Sequence, residues 1–435
     1  MSSTFPAGET PDGTFPAGQT PGGTFPGGQT PGGTFPAGQT PGGDPVTGVR
    51  DALRAALAGE LPDAIRLRRE LHASPELSGA EHRTAATVAA ALGEPDAAPV
   101  AGTGRLIRIG PAGGPCVAVR AELDALPVTE QTGVEWASRN GAMHACGHDV
   151  HLAALAALGR AARAVHASAV PLPAALLAVL QPREELSPLG APEVVASAAF
   201  TAHQPRAVIG VHLQHQLPPG TVSAAAGAVN AAADEFEVTV HGAGGHAGYP
   251  HLAADPVPAL CQAVLGLQQI VSRRTDPLHA AVVSVGVLQA GSAPNVIPGT
   301  AVARGSVRAL DETDRAALHQ AIGEIVEHTC RAHRCRGTVK ITVGEPALVN
   351  DEALAAACWP LLREAGFTVD TSFRSCGADD FAFYSAASPA VMLFAGTGGE
   401  VSLHHPRFLA ADGAVGQVAT AMLAGYLAAL ATLVR

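Results

Sequence analysis

The densest polar constellation in the chain is Met143-His-Ala-Cys-Gly-His-Asp-Val-His151. Thiolate and imidazole are soft-to-borderline donors that suit zinc and similar divalent ions. Gly147, between Cys146 and His148, would let the backbone curl so that both side chains face one ion. The short Cys-x-His spacing favours metal binding, with a buried structural cysteine beside a helix N-terminus, capped by the histidines, as the alternative. Gln181-Pro-Arg-Glu-Glu185 directly follows an apolar run at 174–180. Carboxylates at the C-terminal end of a sheet strand lie where α/β enzymes place their sites. Of two adjacent glutamates, one can ligate a metal while the other stays free as a general base; the plain alternative is a solvated acidic turn. His212, at the end of an expected strand, and His404 and His405 in Leu403-His-His-Pro-Arg-Phe408 add nitrogen donors at further strand ends. The glycine-rich segment Gly242-Ala-Gly-Gly-His-Ala-Gly-Tyr-Pro-His251 lacks a following Gly-Lys-Ser/Thr, so it is not a phosphate loop.

These groups need a scaffold, and hydrophobic periodicity outlines one. Helices are expected at 47–73, 81–92, 151–165, 351–365 and 413–434, with strands at 116–121, 208–213 and 390–395. The run at 174–180 suits a buried strand, although its alanines and leucines leave a helix open. Alternating strands and helices indicate an α/β sheet with parallel pairs. Between 230 and 345 the texture changes: strand 236–240, helix 255–271, strands 280–289 and 300–307, helix 311–333, strand 338–343. That β-α-β-β-α-β order is ferredoxin-like. The expectation is a larger α/β domain (44–229 and 346–435) with a small α+β domain (230–345) inserted into it; the resemblance described below implies that the first is catalytic and the second a lid and dimerisation domain.

Composition sets outer limits. The 435 residues are 47% hydrophobic and 15% charged, which excludes disorder of the whole chain. A net charge of −11 argues against nucleic acid as a partner. No uninterrupted apolar stretch approaches the roughly 20 residues of a membrane span, and no basic and apolar leader opens the sequence. Seven scattered cysteines, an odd number, read as reduced thiols. A cytoplasmic location is expected on these grounds. Residues 4–43 are four copies of a ten-residue Pro/Gly-rich repeat with one phenylalanine each. Such a segment buries too little apolar area to offset its ordering entropy, so a flexible tail is expected at 1–43.

From about residue 60 onward the chain resembles the amidohydrolase branch of the family-twenty metallopeptidases, which includes aminoacylases, hippurate hydrolases and indole-acetyl-amino-acid hydrolases. The resemblance rests on RRELHASPELSGAE (68–81), VRAELDALPV (119–128), MHACGHDVH (143–151), QPREE (181–185), GVHLQHQLPPG (210–220), GGHAGYPHLAADP (244–256), APNVIPGTA (293–301), GSVRAL (305–310) and LHHPRF (403–408). It implies two divalent metal ions per subunit, Mn²⁺ or Zn²⁺ with Co²⁺ or Ni²⁺ also compatible. Cys146, His148, Glu185, His212 and His404 would be the ligands, Glu184 the catalytic base, and Asp124 a support for the ligand shell. It also implies that His246 reaches a neighbouring subunit's site across a lid-mediated homodimer, and that Asn295 and Arg308 hold the substrate. The implied reaction is hydrolysis of a small N-acyl amino acid or related amide. Dipeptidase or carboxypeptidase activity, or a catalytically silent metal-binding relative, are the alternatives. Where the family usually has Glu-Asp-Phe, this chain has Asp379-Asp380-Phe381.

Overall fold

The computed structural model describes residues 45–168 and 170–433; the repeat at 1–43 lies outside the described residues. Cys116–Glu122 and Ala175–Gln181 are buried at every position, so both of their faces must be covered. They pair in parallel, as do Cys116–Glu122 with Pro205–Gln214 and Pro205–Gln214 with Ala390–Gly396. The run left open between helix and strand is a strand, because Gly104–Ile109 on one side and Cys116–Glu122 on the other take up its backbone groups. Four further strands, including Gly104–Ile109, complete an eight-stranded sheet. Sequence patterning missed these four strands.

Alternate side chains of the central strands enter two cores. Val117, Val119, Leu176, Ile209 and Leu393 face Pro45–His72, His148–His166 and Gly413–Leu433. Ala118, Leu177, Val208 and Met392 face the shorter elements carrying Val194, Phe200, Phe381 and Tyr384. By length and composition Gly413–Leu433 is apolar enough to cross a membrane, but most of it is buried inside the protein. Its Tyr426 hydroxyl donates to Ala174 O at 2.7 Å. Its Gly425 lies so close to the sheet that a Cβ would come within 2.5 Å of Ile209 Cγ2. A helix apolar on every face is what such a sandwiched position requires.

The chain leaves this body along Gly227–Asn230 and returns along Leu348–Asn350, and the two segments pair antiparallel. Between them, Ala232–His241, Ala281–Ala290, Thr300–Ala309 and Arg336–Val343 form a four-stranded antiparallel sheet, with Thr300–Ala309 and Ala232–His241 in the middle. Pro256–Arg273 and Glu312–Ala332 cover one face around Phe236, Val238, Leu267, Ile322 and Val326. Both helices start on an aspartate cap: Asp255 accepts from Val257 N–H, and Asp311 from Thr313 and Asp314 N–H. Residues of the other face, among them Glu235, Ser306 and Arg308, line a cleft shared with the large sheet.

Candidate metal centre and active site

His148 opens the helix His148–His166, and Gly147 before it adopts a left-handed φ of 85°. A side chain there would be strained, and its Cβ would lie 2.6 Å from Leu213 Cδ1. This turn sets Cys146 and His148 side by side at the head of a buried helix. The strand ends supply the rest: Glu184 and Glu185 follow Ala175–Gln181, and His212 lies near the end of Pro205–Gln214. His404 comes from a loop in the left-handed region (φ 65°) that is tied down by His404 N–H donating to Ala145 O at 2.9 Å.

The expected ligands converge. Cys146 Sγ lies 3.4 Å from His212 Nε2 and 3.2 Å from His404 Nε2. Glu185 Oε1 lies 3.5 Å from His404 Nε2 and 3.9 Å from His148 Nε2, and Glu184 Oε2 lies 3.8 Å from His148 Nε2. His148 Nδ1 contacts Asp124 O at 2.9 Å, which turns Nε2 toward the cleft. Asp124 Oδ2 accepts from Ser78 Oγ at 2.6 Å and from Glu185 N–H at 2.9 Å.

The charge balance is lopsided. Burial, then the Glu185 and Glu184 carboxylates, push the Cys146 thiol well above its usual range. Burial, then Glu185, Asp379 and Asp380, do the same to the Glu184 carboxyl. Burial and His151 lower His212 to about 4.

The cleft in front of these groups has a volume of about 750 Å³, and Arg308 lines it from the inserted sheet. His246 and Asn295 are exposed and do not line it. They lie together on the small pairing of Gly245–His246 with Val296–Ile297, where Ala247 N–H donates to Asn295 O at 3.1 Å. His246 Nδ1 accepts from Gly248 N–H at 2.9 Å.

Sequence reasoning missed the layer beneath. Arg120 is buried within Cys116–Glu122, where it donates to Gln181 Oε1 at 2.8 Å, Asp380 at 2.7 Å and Asp379 at 3.1 Å, and pairs with Glu122. An arginine inside an apolar strand run was the available signal, since a buried charge needs buried partners. His151 is also satisfied: its Nε2 accepts from Leu213 N–H at 3.1 Å and its Nδ1 meets Glu122 at 2.9 Å. It therefore has no lone pair left for a metal, although it neighbours His148 and His212.

Residues 118–428 match the model of peptidase family M20/M25/M40. An N-acetyl-L-cysteine deacetylase of Bacillus subtilis (strain 168) is 38% identical over 349 residues, covering 79% of this chain and 82% of the relative. An IAA-amino acid hydrolase ILR1-like 2 of Arabidopsis thaliana is 35% identical over 363 residues, covering 79% and 80%. The crystal structure of the Bacillus subtilis YXEP protein, a dinuclear metal-binding peptidase of the same family, superposes with a TM-score of 0.75 at 29% identity, covering 86% of this chain and 99% of that one. The chain belongs to peptidase family M20/M25/M40.

For a member of this family, the donor set fits a divalent metal. Cys146, Glu185 and His404 form one cluster of potential ligands and His148, Glu184 and Glu185 another; within each, the ligand atoms lie within 4.8 Å of one another. His148 Nε2 and Glu185 Oε1 are buried without a hydrogen-bond partner. Buried polar atoms are rarely left so, and both belong to these clusters.

Proposed function

We propose that this chain is a metal-dependent amidohydrolase that cleaves N-acyl amino acids, with Cys146, His148, Glu185, His212 and His404 holding two divalent ions and Glu184 acting as the base. The observation that carries the reading is the pair of unpartnered buried atoms, His148 Nε2 and Glu185 Oε1, next to Glu184, which lines the cleft. The deacetylase and amino acid hydrolase relatives support this substrate kind.

Divalent ions bound there supply Lewis-acid polarisation of the amide carbonyl and ease deprotonation of an attacking water. Glu184 takes the water's proton and delivers it to the leaving amine. Its raised proton affinity, from burial and three neighbouring carboxylates, suits a group that must both accept and return a proton. Arg308 forks two hydrogen bonds onto the substrate carboxylate. Asp124 orients His148 through its carbonyl and Glu185 through its carboxylate.

His246 and Asn295, exposed and away from their own cleft, act in the cleft of a second copy, in a homodimer formed through the inserted sheet. There His246 stabilises the developing oxyanion. The metals are Mn²⁺ or Zn²⁺, with Co²⁺ and Ni²⁺ as substitutes, and the enzyme works in the cytoplasm. The test is hydrolysis of N-acetyl and N-benzoyl amino acids by the purified chain with each metal added, beside dipeptides as competitors. No hydrolysis of any acylated amino acid with any of the four metals would overturn the reading.

A further inference from the structure

Two oppositely charged side chains of the inserted sheet line the cleft. Between Thr300–Ala309 and Ala232–His241, Arg304 stands opposite Glu237, and the two pair at 2.7 Å. Arg308 stands opposite Ala233, and Glu235 opposite Ser306. Arg308 and Glu235 are thus diagonal neighbours on one face, about 7–8 Å apart. Both line the cleft, and neither has an ion-pair partner among the described residues. A base and an acid left free so close together suit a ligand that carries both charges.

Asn230 adds an independent observation. It is 6% exposed, it lines the same cleft, and its Oδ1 is buried without a partner. Its backbone is fixed, since the next residue's N–H donates to both Ser375 O and Gly377 O. From Asn230 the chain runs in three residues to Ala233, beside Arg308. Asn230 and Arg308 thus line one cleft, and only three residues of chain separate Asn230 from the residue opposite Arg308.

Resting on the amidohydrolase reading, we propose that this wall selects N-acyl amino acids whose side chain ends in an ammonium group. The α-carboxylate lies on Arg308, the side-chain ammonium on Glu235, and Asn230 Oδ1 accepts a further N–H from the substrate. A three- or four-carbon side chain spans the diagonal. A neutral side chain leaves Glu235 and Asn230 without donors, the situation in which a polar site discriminates most strongly.

The test compares kcat/KM of the Mn²⁺-loaded full-length protein for Nα-acetyl-ornithine, Nα-acetyl-lysine, Nα-acetyl-norleucine and Nα-acetyl-glutamate. The cationic substrates should exceed norleucine by about tenfold or more. Glu235→Gln should bring that ratio close to one, and Glu235→Lys should turn the preference toward glutamate. Calorimetric titration of the Glu184→Gln protein with the same four compounds should give the same order of affinity. Equal use of lysine and norleucine derivatives, or a ratio unmoved by both Glu235 variants, overturns the proposal. Failure to hydrolyse any of the four compounds would count against the amidohydrolase reading instead; the titration would then decide the selectivity by itself.

Discussion

The Glu185 backbone N–H donates to Asp124 Oδ2 at 2.9 Å, and the other oxygen of that carboxylate has no hydrogen-bond partner. Asp124 O contacts His148 Nδ1 at 2.9 Å as well. One aspartate thus positions two proposed ligands from different parts of the chain. Asp124→Ala should weaken metal binding about 10–100-fold, read by competition against a chromophoric chelator. An unchanged affinity would show that the backbone contacts alone suffice.

Glu184→Gln should keep metal content near wild type while turnover falls by about 10²–10⁴. The amide preserves size and polarity but cannot take up a proton. Single-turnover assay of the metal-loaded variant decides it, and retained turnover would remove Glu184 from its role.

Cys146→Ala should lose both metal and activity. A soft sulfur donor in contact distance of His212 and His404 has no substitute in a methyl group. Full occupancy by elemental analysis would instead make Cys146 a buried structural residue.

Mixing inactive Glu184→Gln chains with inactive His246→Ala chains should restore part of the activity once subunits exchange. A mixed dimer would have one cleft with its own Glu184 and the partner copy's histidine. Demonstrated exchange without recovered activity would place His246 outside the reaction.

Asp234 accepts from Arg315 at 2.7 Å and from Gly344 N–H at 2.9 Å. Burial opposes its charge, but the Arg315 hydrogen bonds and the Gly344 N–H outweigh it and hold the carboxyl below its usual range. A depressed folded-state pKa contributes stability above the unfolded value of about 3.9 and loses it as pH falls through the folded value. Asp234→Asn should therefore lower Tm at neutral pH, by an amount equivalent to about 3 kcal/mol, and should flatten the loss of Tm below pH 4. Parallel Tm profiles for the two proteins would contradict the assignment.

The residues of the proposed ligand set could be picked out because each sits in a short motif at a strand end, a helix start or a loop, where residue type and neighbours alone narrow the chemistry. The central parallel strands were legible because the runs at 116–121 and 390–395 are short and largely apolar. The support beneath was not: Arg120 meets Asp379 and Asp380 across roughly 260 positions of sequence, a contact made by sheet order rather than by local pattern. Asn230 was invisible for a different reason. An asparagine at a strand end reads as a turn residue until its empty hydrogen-bonding positions are seen in a cleft wall.

The turn at Gly147 leads into a helix whose residues are mostly buried, so the head of the proposed metal centre is held by the core. Folding then does not have to wait for an ion, as it does in small domains organised around one. The stripped protein should remain folded and be open to reloading, with Tm rising on metal addition by the binding linkage alone. On the proposed reading, the ion would be set at loading, by what the surroundings supply and how strongly thiolate and imidazole compete for it, so one polypeptide would exist as a set of interconvertible metalloforms.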